Sequence, residues 1–381
     1  MNFIAPANVG AFRLYLKAVK KIIFTVTNDL NYDQRMQRIC NTLADAGYEV
    51  LLVGRKLRTS LVISNEKYNQ HRLNCWFNKG KSFYAEFNIR LFFYLLFNKA
   101  DCICSIDLDT ILPCYYVSRI KKIIRVHDAH EYFSQLDEVI SRPKIYRFWH
   151  RIERKFIPKF PCGYTVCDSL AAAFKKNYHV DYKVIRNMPL LVESNKQAEA
   201  QNVVLYQGAV NRGRGLDKVA LAMKSVNAQL WVCGDGNFME EMKAVVKAND
   251  LSAKIIFLGM LKPEALKEKT AQALIAINPF EKTGLNQYLS LSNKFFDYIH
   301  TDIPQITMNY PEYRKINDQY NIAELIEDLN SETIAKGINK LLHDKERYLQ
   351  LKKNCSIAKE DLNWQNEKSK LLNFYQQLFN E

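Results

Sequence analysis

Several familiar signatures are missing from this sequence. Its nine cysteines include no CxxC pair, so neither a redox pair nor a paired-cysteine metal site is expected. They are odd in number and sit mostly singly in apolar stretches, the pattern of buried thiols in a reducing compartment. No GxGxxG follows the first strand, which argues against a nicotinamide-dependent Rossmann enzyme, and no glycine loop ends in a phosphate-binding lysine. No apolar run reaches the ~18 residues that span a bilayer, and the N-terminus lacks the apolar stretch and cleavage site of a signal peptide.

What is present suits a two-domain globular protein. The chain has 381 residues, 48% hydrophobic and 25% charged. Its net charge of +14 is unevenly placed: residues 1–190 carry 30 lysines and arginines against 16 acidic residues, and residues 191–381 carry 24 against 24. A one-sided basic field of this kind attracts nucleic acid, anionic lipid or an anionic substrate, and it also keeps a protein in solution without any partner.

Strand and helix patterns alternate along the chain. Residues 21–27 (KIIFTVT), 48–54, 100–106, 123–127 and 163–166 read as strands. Residues 33–46 repeat apolar positions at helical spacing and end at Gly47, and 86–98 form an apolar, aromatic helix. The second half repeats the style, with strands at 203–207, 229–233, 254–258 and 274–278 and a helix opening at 293. The expected fold is α/β: two Rossmann-like, doubly wound parallel sheets facing across a cleft. The expected parts are a first domain over 1–190, a second over 191–361, and a final helix over 362–381 crossing back onto the first. The polar stretch 187–200 marks the boundary.

Two segments carry chemistry in the second half. In YQGAVNRGRGLD (206–217), a strand runs into three glycines, two arginines and a helix. Glycine admits close approach of a ligand, the helix start offers free N–H groups, and Arg212 and Arg214 present planar cationic forks to phosphate. In 279–304, Ser292 or Asn293 can cap a helix that opens with Lys294 and carries Asp297 in its first turn. The lysine beside a helix start suits a pyrophosphate, while Asp297 could equally do no more than offset the helix dipole.

In this order and spacing, together with LWVCGDG (230–236), IIFLGML (255–261), INPF (277–280) and SLSNKFFDYIHTDIP (290–304), these segments resemble the nucleotide-sugar half of GT-B glycosyltransferases, in particular retaining family 4 and its bacterial polysaccharide-assembly relatives. TNDLNYDQRMQRICNTLADAGYEVLLVGR (27–55) and VHDAHEYF (126–133) resemble the acceptor half of the same enzymes. The resemblance implies that Arg214 and Lys294 hold the donor diphosphate, that Asp297 holds the ribose, and that Gly208 lies under the phosphates. Gly234, Arg212, Ser292 and Asn293 complete the donor set. It implies a UDP- or GDP-type sugar donor, no cofactor and no metal. The family's pair of glutamates with seven residues between them is altered: Leu289 stands at the first position and Asp297 at the second, and Glu281 is not at a motif position.

His127, Asp128, His130 and Glu131 follow a strand, where cleft residues lie, and form the candidate catalytic cluster, with His130 foremost. Asp29 and Asp33 are weaker acceptor-side candidates. A sugar-nucleotide epimerase on the same fold stands as the enzymatic alternative. A nucleic-acid-binding protein would explain the charge, but no nucleic-acid module is recognisable, and no nucleic-acid partner is expected. Phe92, Phe93, Leu95 and Leu96 are expected to form core, whereas the basic residues around Tyr146 and Trp149 are harder to bury. The expected setting is the cytoplasmic face of a membrane, with an anionic surface and a lipid-linked or anionic glycan acceptor as partners.

Overall fold

The computed structural model describes residues 19–192 and 200–380. Residues 193–199 of the expected boundary, and residues 1–18 with the N-terminus read for a signal peptide, lie outside the described residues. Two all-parallel sheets dominate, one in each half, as the alternation of strands and helices implied. The first contains β1 (Lys21–Thr25), β2 (Glu49–Lys56), β3 (Asn69–Asn74), β4 (Cys102–Ile106), β5 (Ile124–Ala129), β6 (Cys162–Thr165) and β7 (Lys183–Val184) in the order β3-β2-β1-β4-β5-β6-β7. The second contains β8 (Gln201–Gln207), β9 (Gln229–Cys233), β10 (Ile255–Gly259), β11 (Ala273–Asn278), β12 (Gln305–Met308) and β13 (Ala323–Ile326) in the order β10-β9-β8-β11-β12-β13.

The same winding is thus used twice. In each sheet the order reverses beside the first strand, between β1 and β4 and between β8 and β11. Ligands of open parallel sheets bind outside the carboxyl ends of the strands at such a switch point. Helices cover both faces, so central strands read as unbroken apolar runs; every residue of β4 (CICSI) is buried.

Four strands are absent from the pattern read from sequence. β3 (NQHRLN) is a half-exposed edge strand with only Leu73 buried, so its alternation is polar. β7 is two residues long, and β12 and β13 are four each. The aromatic helix is also longer than expected, Gly80–Phe97, and buries Phe83, Phe87, Leu91 and Leu95 along one stripe. Leu95 is core as expected, whereas Phe93 on the opposite face is half exposed. Trp149 is buried against Tyr84 and Phe133, and around it Lys144, Arg147, Arg151, Arg154 and Lys155 are exposed.

The last helix, Trp364–Asn380, lies in the core of the first sheet. Trp364, Leu371, Tyr375 and Leu378 pack with Phe24, Met36, Ile39 and Tyr164. The rings of Phe24 and Tyr375 meet edge-on at 6.1 Å.

Candidate active site

The two sheets present their carboxyl edges to one cleft of about 2500 Å3. Its donor-side wall starts at the turn after β8. Gly208 has φ 121°, and a Cβ there would stand 3.2 Å from Cε of Lys294. Only glycine holds this backbone without strain while leaving the lysine its place. Gly234, at the end of β9, lies beneath it with φ 147°; a Cβ there would collide with the carbonyl oxygen of Gly208.

Above this floor two cations share one aromatic ring. The Arg214 guanidinium is 4.5 Å from the centre of Phe280, and the Lys294 amine is 4.9 Å from the same ring and 4.3 Å from that of Tyr206. Lys294 is only 9% exposed. Burial pushes its pKa well below the usual lysine value, and the neighbouring Arg214 adds to the fall. Neither cation makes an ion pair among the described residues. Lys294 sits in the first turn of the helix Asn293–His300, which has no side-chain cap. Ser292 occupies the cap position, but its hydroxyl donates to Asn278 Oδ1 at 2.9 Å instead. The helix start therefore keeps its positive end open toward the cleft, next to two unpaired cations.

Asp297 completes this wall. Its Oδ2 accepts from Gln207 Nε2 at 2.8 Å, and Gln207 Oε1 in turn accepts from Thr270. Burial raises the carboxyl to about 6 against the pull of Arg38, Gln207 and Lys294.

The opposite wall is built on β4 and β5. Asp128 is fully buried and bridges Arg35 Nη2 and His130 Nε2, each at 2.9 Å. Burial alone would raise Asp128, yet Arg35 and His130 hold it below the usual carboxylate value. Desolvation likewise works against a charged His130, but the Asp128 and Asp107 carboxylates outweigh it and push the imidazole up to about 9. His130 thus stands at the cleft with its Nε2 2.9 Å from both Asp128 Oδ2 and Arg35 Nε. Glu131 is exposed to the cleft beside it.

Sequence reasoning passed over Asp107 and Asp109, an aspartate pair in D-x-D spacing just after β4. Asp107 has φ 53°, and its Oδ1 accepts the backbone N–H groups of His130 at 2.8 Å and Glu131 at 3.2 Å. Asp109 accepts from the Thr27 hydroxyl. Burial raises Asp107 to about 8 and Asp109 to about 6. Their signal was position alone, since they follow a buried strand just as the His127–Glu131 cluster does.

The remaining candidates divide. Gly208, Arg212, Arg214, Ser292, Asn293, Lys294 and Asp297 line the cleft together with His130 and Glu131. His127 does not. It is 2% exposed, packed between Phe160 and Tyr182, and desolvation lowers it to about 4, so it is a neutral core residue. Asp128 and Gly234 stand behind the walls rather than on them. Arg212 is at the rim, its guanidinium paired with Glu241 at 2.5 Å. Asp29 is consumed by Arg72 at 2.6 Å and Ser60, and Asp33 caps the helix Gln34–Asp45 through the Met36 N–H. Leu289, at the position of the family's first glutamate, is an interdomain contact instead: it packs on the first domain's core and its carbonyl accepts from Cys167 Sγ at 3.1 Å. Glu281 lines the cleft but pairs with Lys218 at 2.9 Å.

Residues 188–356 match the model of the family described as glycosyl transferases group 1. Three solved structures resemble the whole architecture. Sucrose-phosphate synthase from Thermosynechococcus elongatus is 15% identical with a TM-score of 0.77, covering 95% of this chain and 99% of its own. Anabaena HepE in complex with UDP-glucose is 12% identical with a TM-score of 0.75, covering 94% and 99%. TarM of S. aureus, in a complex that includes UDP, is 11% identical with a TM-score of 0.71, covering 95% and 100%. No curated protein sequence matches the chain.

Proposed function

We propose that this chain, a GT-B glycosyltransferase whose second half carries a group 1 glycosyl transferase domain, moves a sugar from a UDP- or GDP-type donor onto a lipid-linked or anionic glycan acceptor in cell-surface glycan assembly. One observation carries the donor reading: Arg214 and Lys294 lie unpaired over Phe280, beside an uncapped helix start and above a glycine floor. Two neighbouring cations in a cleft, neither closed in an ion pair among the described residues, fit a ligand with two adjacent negative groups, which is a diphosphate.

In the reaction, the bond between the anomeric carbon and the β-phosphate oxygen breaks, and the acceptor hydroxyl oxygen bonds to that carbon. The electron pair leaves on the nucleoside diphosphate. Arg214, Lys294 and the helix start stabilise the negative charge developing there. The hydroxyl proton passes to a base in the cleft or to the leaving phosphate. His130 and Glu131 face the sugar from the other wall, while Asp128 and Asp107 position them. Asp297, turned by Gln207, is placed for the ribose hydroxyls.

The test is binding of UDP, GDP and dTDP sugars, read as a rise in melting temperature for the wild type and Arg214→Ala. One nucleotide class should stabilise the wild type and lose about 2–4 kcal/mol of affinity in the variant. Unchanged binding in Arg214→Ala would remove the donor assignment.

A peripheral place at the cytoplasmic membrane face belongs to the same reading. It is supported by the surplus charge of residues 1–190 and by the exposed basic face of the helix Pro143–Phe156. No helix among the described residues is long and apolar enough to cross a membrane. The protein should sediment with anionic vesicles at low salt and leave them as salt screens surface charge over ~8 Å. Equal binding to neutral and anionic vesicles, or none to either, refutes this placement.

A further inference from the structure

The helix Gly80–Phe97 is apolar on nearly all sides, yet only one stripe of it is buried. A helix of that composition is normally covered all round. Its outward face leaves Ile89 59% and Phe93 52% exposed, and the neighbouring helix Ile111–Lys121 leaves Tyr116 46% exposed. Between the two helices runs an apolar groove of about 250 Å3, lined by Ile89, Phe92, Phe93, Leu112, Pro113 and Tyr116.

This groove is joined to the cleft. Asn88 and Leu112 line both. On the Gly80–Phe97 helix, Lys81, Tyr84 and Asn88 face the cleft, and Asn88 and Phe92 continue into the groove. Steps of three and four residues keep all of them on one helical face. At the cleft end, Lys81 and Lys144 are exposed and make no ion pair among the described residues. An apolar groove that opens into a cleft carrying exposed, unpaired lysines, on the acceptor side of a transfer site, matches a ligand with a hydrocarbon chain and an anionic head.

We propose that this groove holds the hydrocarbon chain of a lipid-phosphate acceptor, with its phosphate between Lys81 and Lys144. The inference rests on the cleft being the site of glycosyl transfer. It goes further by assigning the acceptor's lipid to a named surface outside the donor site.

Ethyl, hexyl and decyl phosphate, below their aggregation concentrations, are titrated calorimetrically into the full chain and into an Ile89→Gln/Phe93→Gln variant. Both substituted side chains are exposed, so the fold should persist, and UDP affinity and melting temperature check this in the same samples. In the wild type, affinity should rise about two- to fourfold per added methylene until the groove is filled, the upper figure being full transfer of a CH2 from water. In the variant the chain-length dependence should collapse, and decyl phosphate should bind at least tenfold more weakly than to the wild type, with UDP binding unchanged. Lys81→Gln should weaken all three phosphates alike.

Chain-length independence in the wild type, or a slope retained in the double variant, overturns the proposal. So does sedimentation of both proteins with phosphatidylglycerol vesicles when neither binds monomeric decyl phosphate, since that describes a bilayer contact. Failure of UDP to bind at all would instead strike the glycosyl-transfer reading, and the alkyl series would still report on the groove separately.

Discussion

Replacing Lys294 by methionine separates a ligand-binding lysine from a structural one. The two side chains have similar length, so packing around Phe280 and Tyr206 is kept. In the empty protein the lysine gains little from its charge: it is nearly buried, faces Arg214, and among the described residues has a 3.3 Å contact to the Tyr206 hydroxyl as its only hydrogen bond. That hydroxyl already donates to the Ala209 carbonyl at 2.7 Å, so removing the lysine orphans nothing. A buried charge with no ion-pair partner costs stability, and burial together with Arg214 outweighs the pull of Asp297, so Lys294→Met should leave the melting temperature of the ligand-free protein unchanged or raise it. With donor bound, the lysine becomes one side of a charge-assisted contact to phosphate, worth about 1.5–3 kcal/mol, and its loss also leaves a phosphate charge poorly matched. Affinity for UDP should therefore fall about 30- to 1000-fold, equivalent to about 2–4 kcal/mol. Calorimetric titration with UDP and a thermal melt without it provide both readings. A variant that melts several degrees lower yet binds UDP normally would show that Lys294 holds the fold and not the ligand.

Other consequences are equally direct. Wild-type stability should decline between pH 6.5 and 9: His130 is raised to about 9, so its contribution is full below the unfolded value of 6.5 and lost as pH climbs through 9. Urea midpoints measured across that range would refute this by staying flat or rising. His130→Ala should depress turnover much more than UDP affinity, because it faces the reacting sugar and not the phosphates; equal losses in both would contradict that placement. Arg212→Ala should keep UDP affinity within about threefold, since its guanidinium is turned to Glu241 in an exposed pair worth at most ~1 kcal/mol. Gly234→Ala should lower stability by at least about 1–3 kcal/mol through backbone strain and collision with Gly208, and a variant that unfolds at the wild-type urea concentration would show the turn to be looser than described.

The architecture was legible because its signals are local. Parallel strands buried on both faces are short apolar runs, and the glycine turn, the Asn293–His300 helix and the strands before them follow in chain order. What escaped were elements with weak local patterns: β3 is polar because it is an edge, and β7, β12 and β13 are too short to show a period. At the site, Arg214 and Lys294 both line the cleft, but residue type gave no sign of their partners. Phe280, which carries both cations, reads in sequence as one more core aromatic. Arg212 and Arg214 are equivalent in sequence, and only the fold shows one engaged by Glu241 and the other over Phe280. His127 and His130 illustrate the same limit. They lie three residues apart, and the switch from strand to loop sends one into the core and the other to the cleft.

The final helix also has a consequence for how the chain is made. Trp364, Leu371 and Tyr375 are almost fully enclosed among side chains of the first sheet, so that sheet is finished by residues that follow the whole second half. Domains ordinarily fold in turn as they leave the ribosome, at about 5–20 residues per second. Here the first sheet must wait, with Phe24, Ile39 and Tyr164 incompletely covered, until translation has passed through the whole second half. Synthesis order and folding order are uncoupled, and a ribosome that stops short of residue 364 releases a first domain with its own core open.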